Sequence, residues 1–110
     1  MQITMEQFES VCLVVGTVVS ARRAAEVRNP SYRVEVDFGA EVGTLKTVAQ
    51  ITDLYDPEEL PGRQVIGLVN VPSKQIGPVT SQFLLTGFYR DDGVVLAVPD
   101  QPVPNGARLA

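Results

Sequence analysis

Four arginines, Arg22, Arg23, Arg28 and Arg33, fall within twelve residues, while the acids Asp53, Asp56, Glu58 and Glu59 gather elsewhere. Guanidinium groups grouped in this way can track a phosphate backbone, so Arg28, Arg33 and Lys46 form a first candidate binding set. Arg33 falls on the polar face of an alternating segment and Lys46 at the start of the next one. The competing assignment is a solvated face carrying weak surface ion pairs, with Glu35 as a partner. Lys74, Gln75 and Ser81 form a second set, within a stretch rich in Pro, Gly and Ser. Their ammonium, amide and hydroxyl groups can bond phosphate oxygens or base edges, and an ordinary turn is the equal alternative. Gln50 and Asn70 flank this region, although polar residues at strand ends often serve only to satisfy backbone groups.

Other chemistries lack their parts. The chain has no histidine, which removes the commonest general base and the commonest metal ligand. Ser10, Ser20 and Ser31 therefore have no partner for a Ser-His mechanism. Cys12, the single cysteine, can form neither an intramolecular disulfide nor a thiolate cluster, and its apolar neighbours predict a buried structural thiol. Asp91-Asp92 reads as a turn, since an oxygen-ligated cation needs more carboxylates at defined spacing. No catalytic residue, metal or cofactor is expected.

These candidates must be held by strands. Tyr32–Phe38 alternates strictly, with Tyr32, Val34, Val36 and Phe38 on one face and Arg33, Glu35 and Asp37 on the other. Tyr32 could stack on a base, but its phase with the valines favours the core. Val11–Arg22 reads as a strand in which Gly16 marks a bulge or bend. Leu45–Ile51 and Val65–Val71 read as strands, and Phe83–Phe88 and Val94–Val98 as a hairpin around Asp91-Asp92-Gly93. Val71–Ser81 reads as a loop. Thr4-Met-Glu-Gln7 has the form of a capping box opening a short helix to Glu9. Asp56-Pro-Glu-Glu predicts one helical turn. Arg108-Leu109 is a candidate last edge strand after a turn-rich tail. Val34, Val36, Val65, Ile66, Leu68, Leu84 and Val95 are the expected source of most of the core, with alternation turning some outward.

The fold class is thus all-β: five main strands, a short N-terminal helix, and a helical turn between strands 3 and 4. Small barrels of several kinds share that spacing, an OB-fold among them. A chain of 110 residues suits one domain. Met1–Ser10 lacks a basic n-region and an apolar h-region, and no apolar run approaches the ~20 residues of a membrane helix. A cytoplasmic protein without membrane insertion is expected. With 13 acids against 9 bases, net −4, strong nonspecific nucleic-acid binding is disfavoured, and any phosphate contact must be local.

At Val15-Gly-Thr-Val18, Val36-Asp-Phe-Gly39, Ala49-Gln-Ile-Thr52, Tyr55–Gly62 and Pro99–Gly106 the chain resembles the tRNA-binding-domain family. The Pro-rich last motif points to its CsaA-like, export-related chaperone branch. The resemblance runs from about Phe8 to Ala110. It implies an OB-fold, tRNA or other structured RNA as ligand, RNA contact in the loop holding Lys74 and Gln75, and a homodimer. It also implies, as the alternative function, a chaperone for unfolded or exported polypeptides. Val14-Val15, Thr47-Val48 and Thr80 stand where the family pattern carries basic or serine residues, so fewer bases serve phosphate here. Met5 and Phe8, on a helix too short to be stable alone, and Val103 and Leu109, in a tail too poor in apolar residues to form a subdomain, are the expected dimer contacts. Folding of both ends onto their own barrel is the alternative.

Overall fold

Alternation along residues 32–38 produces a strand with one face wholly in the core. The computed structural model describes the whole chain, Met1–Ala110. Its elements are α1 (Met5–Glu9), β1 (Leu13–Arg23), β2 (Tyr32–Asp37), β3 (Thr44–Ala49), a 3-10 turn (Pro57–Glu59), β4 (Gln64–Leu68), β5 (Lys74–Ile76), β6 (Val79–Ser81), β7 (Leu84–Leu85), β8 (Gly87–Arg90) and β9 (Gly93–Leu96). Five of the strands form one antiparallel sheet in the order β3-β2-β1-β4-β7. β1 is long enough to pair with β4 through its first half and with β2 through its second. The sheet curls until β3 meets the segment before β7. There the Gln82 backbone N–H donates to the Lys46 carbonyl at 2.8 Å, and the Lys46 N–H donates to Gln82 Oε1 at 3.0 Å. This nearly closed five-stranded barrel, with a short N-terminal helix and a turn between its third and fourth strands, is an OB-fold.

Tyr32, Val34, Val36 and Phe38 all point inward and are buried. The Tyr32 hydroxyl donates to the Tyr55 carbonyl at 2.7 Å, so this tyrosine is a core residue. Phe38 meets Phe83 edge-on, with ring centroids 5.0 Å apart. Of the other expected core residues, Val65 is buried, Ile66, Leu68 and Val95 are only half-buried, and Leu84 is 55% exposed. Period-two geometry explains the difference: β4 turns Val65 and Gly67 inward, and Leu84, opposite Leu68, lies on the outer side while Phe83 fills the core. Cys12 is half-buried and packs against the core cluster.

Three local expectations need correction. The β1–β2 bulge lies between Val18 and Ser20, with Val19 exposed, and Gly16 is regular. Gly16 is required by close packing, since a Cβ there would lie 2.5 Å from Val36 Cγ1 and 2.6 Å from Phe38 Cδ1. The stretch read as a loop folds as the β5–β6 hairpin, with Ile76 opposite Val79 across Gly77-Pro78. The φ of +59° at Gly77 is what a two-residue hairpin turn demands at its first position. Leu84–Leu85 belongs to the barrel sheet, and only β8 and β9 make the hairpin around Asp91-Asp92.

The Thr4 capping box forms as the sequence indicates, whereas the Asp56 side chain makes no cap hydrogen bond. Gln7 N–H donates to Thr4 Oγ1 at 3.1 Å, and Thr4 N–H donates to Gln7 Oε1 at 2.8 Å. At the 3-10 turn the Asp56 N–H donates to Glu59 Oε1 at 2.8 Å. The tail runs along the free edge of β1: Val15 N–H donates to the Ala107 carbonyl, Gly106 N–H to that of Val15, and Leu109 N–H to that of Leu13. Gln64 clasps Val103 through its backbone N–H and carbonyl. The tail therefore lies on its own barrel and adds the last edge strand expected at Arg108-Leu109. No helix is long and apolar enough to cross a membrane.

Candidate nucleic-acid interface

The outer face of β1–β2–β3 carries the alternate residues that the core does not take. Register places Arg22 opposite Arg33 and Arg33 opposite Val48. One pleat along, Ser20 is opposite Glu35 and Glu35 opposite Lys46. Two arginines paired in register put like charges on one face, which costs stability and makes an added anion favourable there. Glu26 answers one of them at long range, with its Oε1 3.9 Å from the Arg33 NH2 nitrogen, on side chains 46% and 26% exposed. Such a pair contributes little. Arg33 Nε is buried without a hydrogen-bond acceptor, which leaves a donor unsatisfied inside the fold. Glu35 and Lys46 face each other in register but form no ion pair, so Lys46 remains a free exposed cation.

Two distant segments wall this face at one end. The β1–β2 loop, residues 24–31, and the tip of the β5–β6 hairpin lean together. A Cβ at Gly77 would stand 3.4 Å from the Glu26 carbonyl oxygen. Between them lies a cleft of about 310 Å³ lined by Arg28 and Asn29 from the loop, Val48 and Gln50 from β3 and its end, and Ile76 and Gly77 from the hairpin, together with Glu26, Val27 and Ser31. The junction of that loop, the β2–β3 face and the loop before the last barrel strand is where OB-folds hold oligonucleotides.

The structure thus brings some candidates together and separates others. Arg28 and Gln50 line the cleft, and Arg33 borders it through Glu26. Lys74 and Gln75 stand exposed on the hairpin arm, where the Gln75 amide is tied to the Gly77 carbonyl and the Thr80 hydroxyl. Lys46 shares the sheet face. Ser81 points toward the core side of β3, 2.6 Å from the buried Thr47 hydroxyl, which also donates to the Phe83 carbonyl. Asn70 accepts from the Cys12 N–H at 2.9 Å and donates to the Ser10 carbonyl at 2.7 Å, fastening the start of β1 to the end of β4. Sequence reasoning missed Glu26, Asn29 and Ile76. Each is unremarkable in type, and only the meeting of residues 26–31 with residues 76–77 gives them a common site.

The opposite end of the barrel is apolar. Met5, Phe8, Leu109 and Ala110 flank a groove of about 530 Å³ between α1 and the tail, with Glu9 and Arg108 at its edge. The Arg108 guanidinium donates to the Glu9 carbonyl and holds the two termini together. Met5 is 69% exposed and Leu109 47%, whereas Val103 is half-buried against Gln64.

With this geometry in place, comparison with known proteins is informative. The putative tRNA binding domain family matches residues 13–108, nearly the full length of the barrel and its tail. The chain belongs to the tRNA-binding-domain family. Within the family, its fold superimposes on the chaperone CsaA of Bacillus anthracis with a TM-score of 0.92 and 37% identity, covering all of both chains. The CsaA chaperone protein of Picrophilus torridus gives 0.93 and 33%, covering 99% of this chain and all of that one. This is therefore a CsaA-like member. Methionine--tRNA ligase of Pyrococcus furiosus is 33% identical over 107 residues, and that of Methanothrix thermoacetophila 36%. The chain spans only 14–15% of the length of those ligases.

Proposed function

We propose that this protein is a non-catalytic RNA-binding module, with tRNA as its first expected ligand. The observation that carries the reading is the basic, unsatisfied face at the mouth of the cleft: Arg22 against Arg33, with only a distant carboxylate to answer them. The site residues we assign are Arg28, Arg33, Lys46 and Gln50, joined by Lys74 and Gln75 on the hairpin. Membership of the tRNA-binding-domain family supports the choice of ligand. Few bases are available, so affinity should be modest and local. If Arg28, Arg33, Lys46 and Lys74 each neutralise one phosphate, log K for total tRNA should fall against log salt with a slope of about −3 to −4. A flat salt dependence would exclude phosphate contact as the basis of binding.

The terminal groove supports two further readings. A second copy related by a two-fold axis would cover Met5, Phe8 and Leu109 at once, giving a homodimer. Chaperone activity toward unfolded or exported polypeptide, suggested by the likeness to CsaA, would draw on the same apolar surface. Peptide burial should resist salt and carry a negative heat-capacity change, which separates it from RNA binding.

A further inference from the structure

The cleft differs in kind from the charged face beside it. It is concave, and its wall combines apolar Val27, Val48 and Ile76 with the polar side chains of Asn29 and Gln50. A duplex presents phosphates on a convex rod and has no part that enters such a space. A volume of about 310 Å³ stands at the small end of ligand sites, which suits one nucleotide rather than several. The side-chain amides of Asn29 and Gln50 hold no intramolecular hydrogen bond, in contrast to those of Gln75 and Asn70. Free amides above an apolar wall are what reading a base edge requires. No lining residue is aromatic, so a base plane entering here has the Arg28 guanidinium to stack on.

We propose that this cleft takes a single unstacked nucleotide of an RNA chain. Its base lies between Arg28 and the valine–isoleucine wall, and its phosphate replaces the Glu26 carboxylate at Arg33. The proposal rests on the RNA-binding reading above and narrows it to RNA with an unpaired base. Glu26 is then an internal stand-in for phosphate. At 3.9 Å it holds Arg33 too loosely to resist exchange, yet near enough to compete. Bases already free in a loop avoid the cost of unstacking, so looped RNA should be preferred over closed duplex.

The test compares three ligands on the full chain: an RNA hairpin with an unpaired loop, a blunt RNA duplex of equal charge, and a free nucleoside 5′-monophosphate. The hairpin should bind at least about tenfold more tightly than the duplex. Val48→Trp, which fills the cleft from the outer face of β3 without altering charge, should erase that preference. A cooperative thermal melt should persist, and the salt slope should fall by about one as the nucleotide's phosphate leaves Arg33 with its base. Glu26→Gln should tighten hairpin binding a few-fold, and Gln50→Ala should weaken it. These last two sit at exposed positions and keep the test decisive if Val48→Trp folds poorly. Equal binding of hairpin and duplex, or a preference that survives both Val48→Trp and Gln50→Ala, would overturn the nucleotide site while leaving phosphate binding intact. Monophosphate binding as tight as that of the hairpin would make this a small-molecule site and overturn the proposal. Failure of both RNAs to bind would remove the RNA-binding reading as well.

Discussion

The two ends of this barrel use the same backbone for opposite purposes. At the cleft end, outward side chains of β1, β2 and β3 are charged and poorly answered: Arg22 on β1 pairs in register with Arg33 on β2, Lys46 on β3 has no ion pair, and Arg33 Nε lacks an acceptor. At the terminal end, polar groups are used up locally. The Thr4–Gln7 cap, the Asn70 clamp and the Arg108–Glu9 contact all close on the chain itself, and Met5 and Leu109 remain uncovered. One end offers charge and the other apolar area. The two surfaces are separate, so the RNA and the second copy proposed above would not compete for one site.

The largest effect expected is one that removes the comparison. Phe38 is fully buried, meets Phe83 edge-on, and lies under both Gly16 and Gly67, so it supports the barrel from which both ends project. Phe38→Ala should cost about 3–5 kcal/mol in chemical denaturation. RNA binding and self-association should fail together with folding. Loss of one without the other would mean that the ends fold independently.

Next is the charged end alone. Reversing Arg33 and Lys74 together to glutamate should reduce tRNA binding to the level of an unrelated protein in filter binding. Lys74 is exposed and Arg33 gives up only a weak ion pair, but the Arg33 side chain is 26% exposed, so a cooperative thermal melt must accompany the binding result. Undiminished binding in the folded double variant would place the RNA site elsewhere.

How much of this was legible beforehand depended on range. Wherever partners are three residues apart or alternate along one strand, the sequence was enough: Thr4 with Gln7, the helical turn at Pro57–Glu59, and the inward set Tyr32–Phe38. Residues whose meaning lies in a distant contact were opaque. Gly16 reads as a bulge until Val36 and Phe38 are seen against it. Gln82 gives no sign that it closes the barrel onto Lys46, 36 residues away. Asn70 and Ser81 are polar residues near the right region, and their hydrogen bonds run to Ser10, Cys12 and Thr47. Residue type alone cannot say whether a polar side chain faces a ligand or fastens the fold.

The apolar end can be broken with two carboxylates. Met5 is the first helical residue of α1, where an acid suits the helix dipole, so Met5→Asp should leave the cap intact. Leu109 contributes its backbone N–H to the β1 edge, a bond that Leu109→Asp keeps. The double variant should sediment as a monomer where the parent sediments as a dimer. Its tRNA affinity should fall by up to about a hundredfold if one RNA spans both copies, and by nothing if each copy binds alone. A parent that is itself monomeric, or a variant that stays dimeric, would refute the terminal interface.

The smallest effect is expected between the ends. The tip of the β8–β9 hairpin carries the tightest ion pair in the molecule, Arg90 Nε donating to Asp92 Oδ1 at 2.6 Å and NH2 to Oδ2 at 2.9 Å. That hydrogen bond holds the Asp92 carboxyl below the usual carboxylate range and raises Arg90 further. A lowered folded-state pKa means that any stability the pair lends is present above the unfolded carboxyl pKa and is lost as pH falls through the folded value. Both side chains are exposed, so solvent and salt screen the interaction. Asp92→Asn should therefore shift the melting temperature by less than the scatter between preparations at neutral pH. Any small deficit should vanish in acid, and RNA affinity and sedimentation should match the parent. Geometry alone would rank this pair first among the ion pairs, yet it belongs to neither end. A clear loss of tRNA binding in Asp92→Asn would show that the hairpin takes part in recognition, and the division into one charged and one apolar end would have to be redrawn.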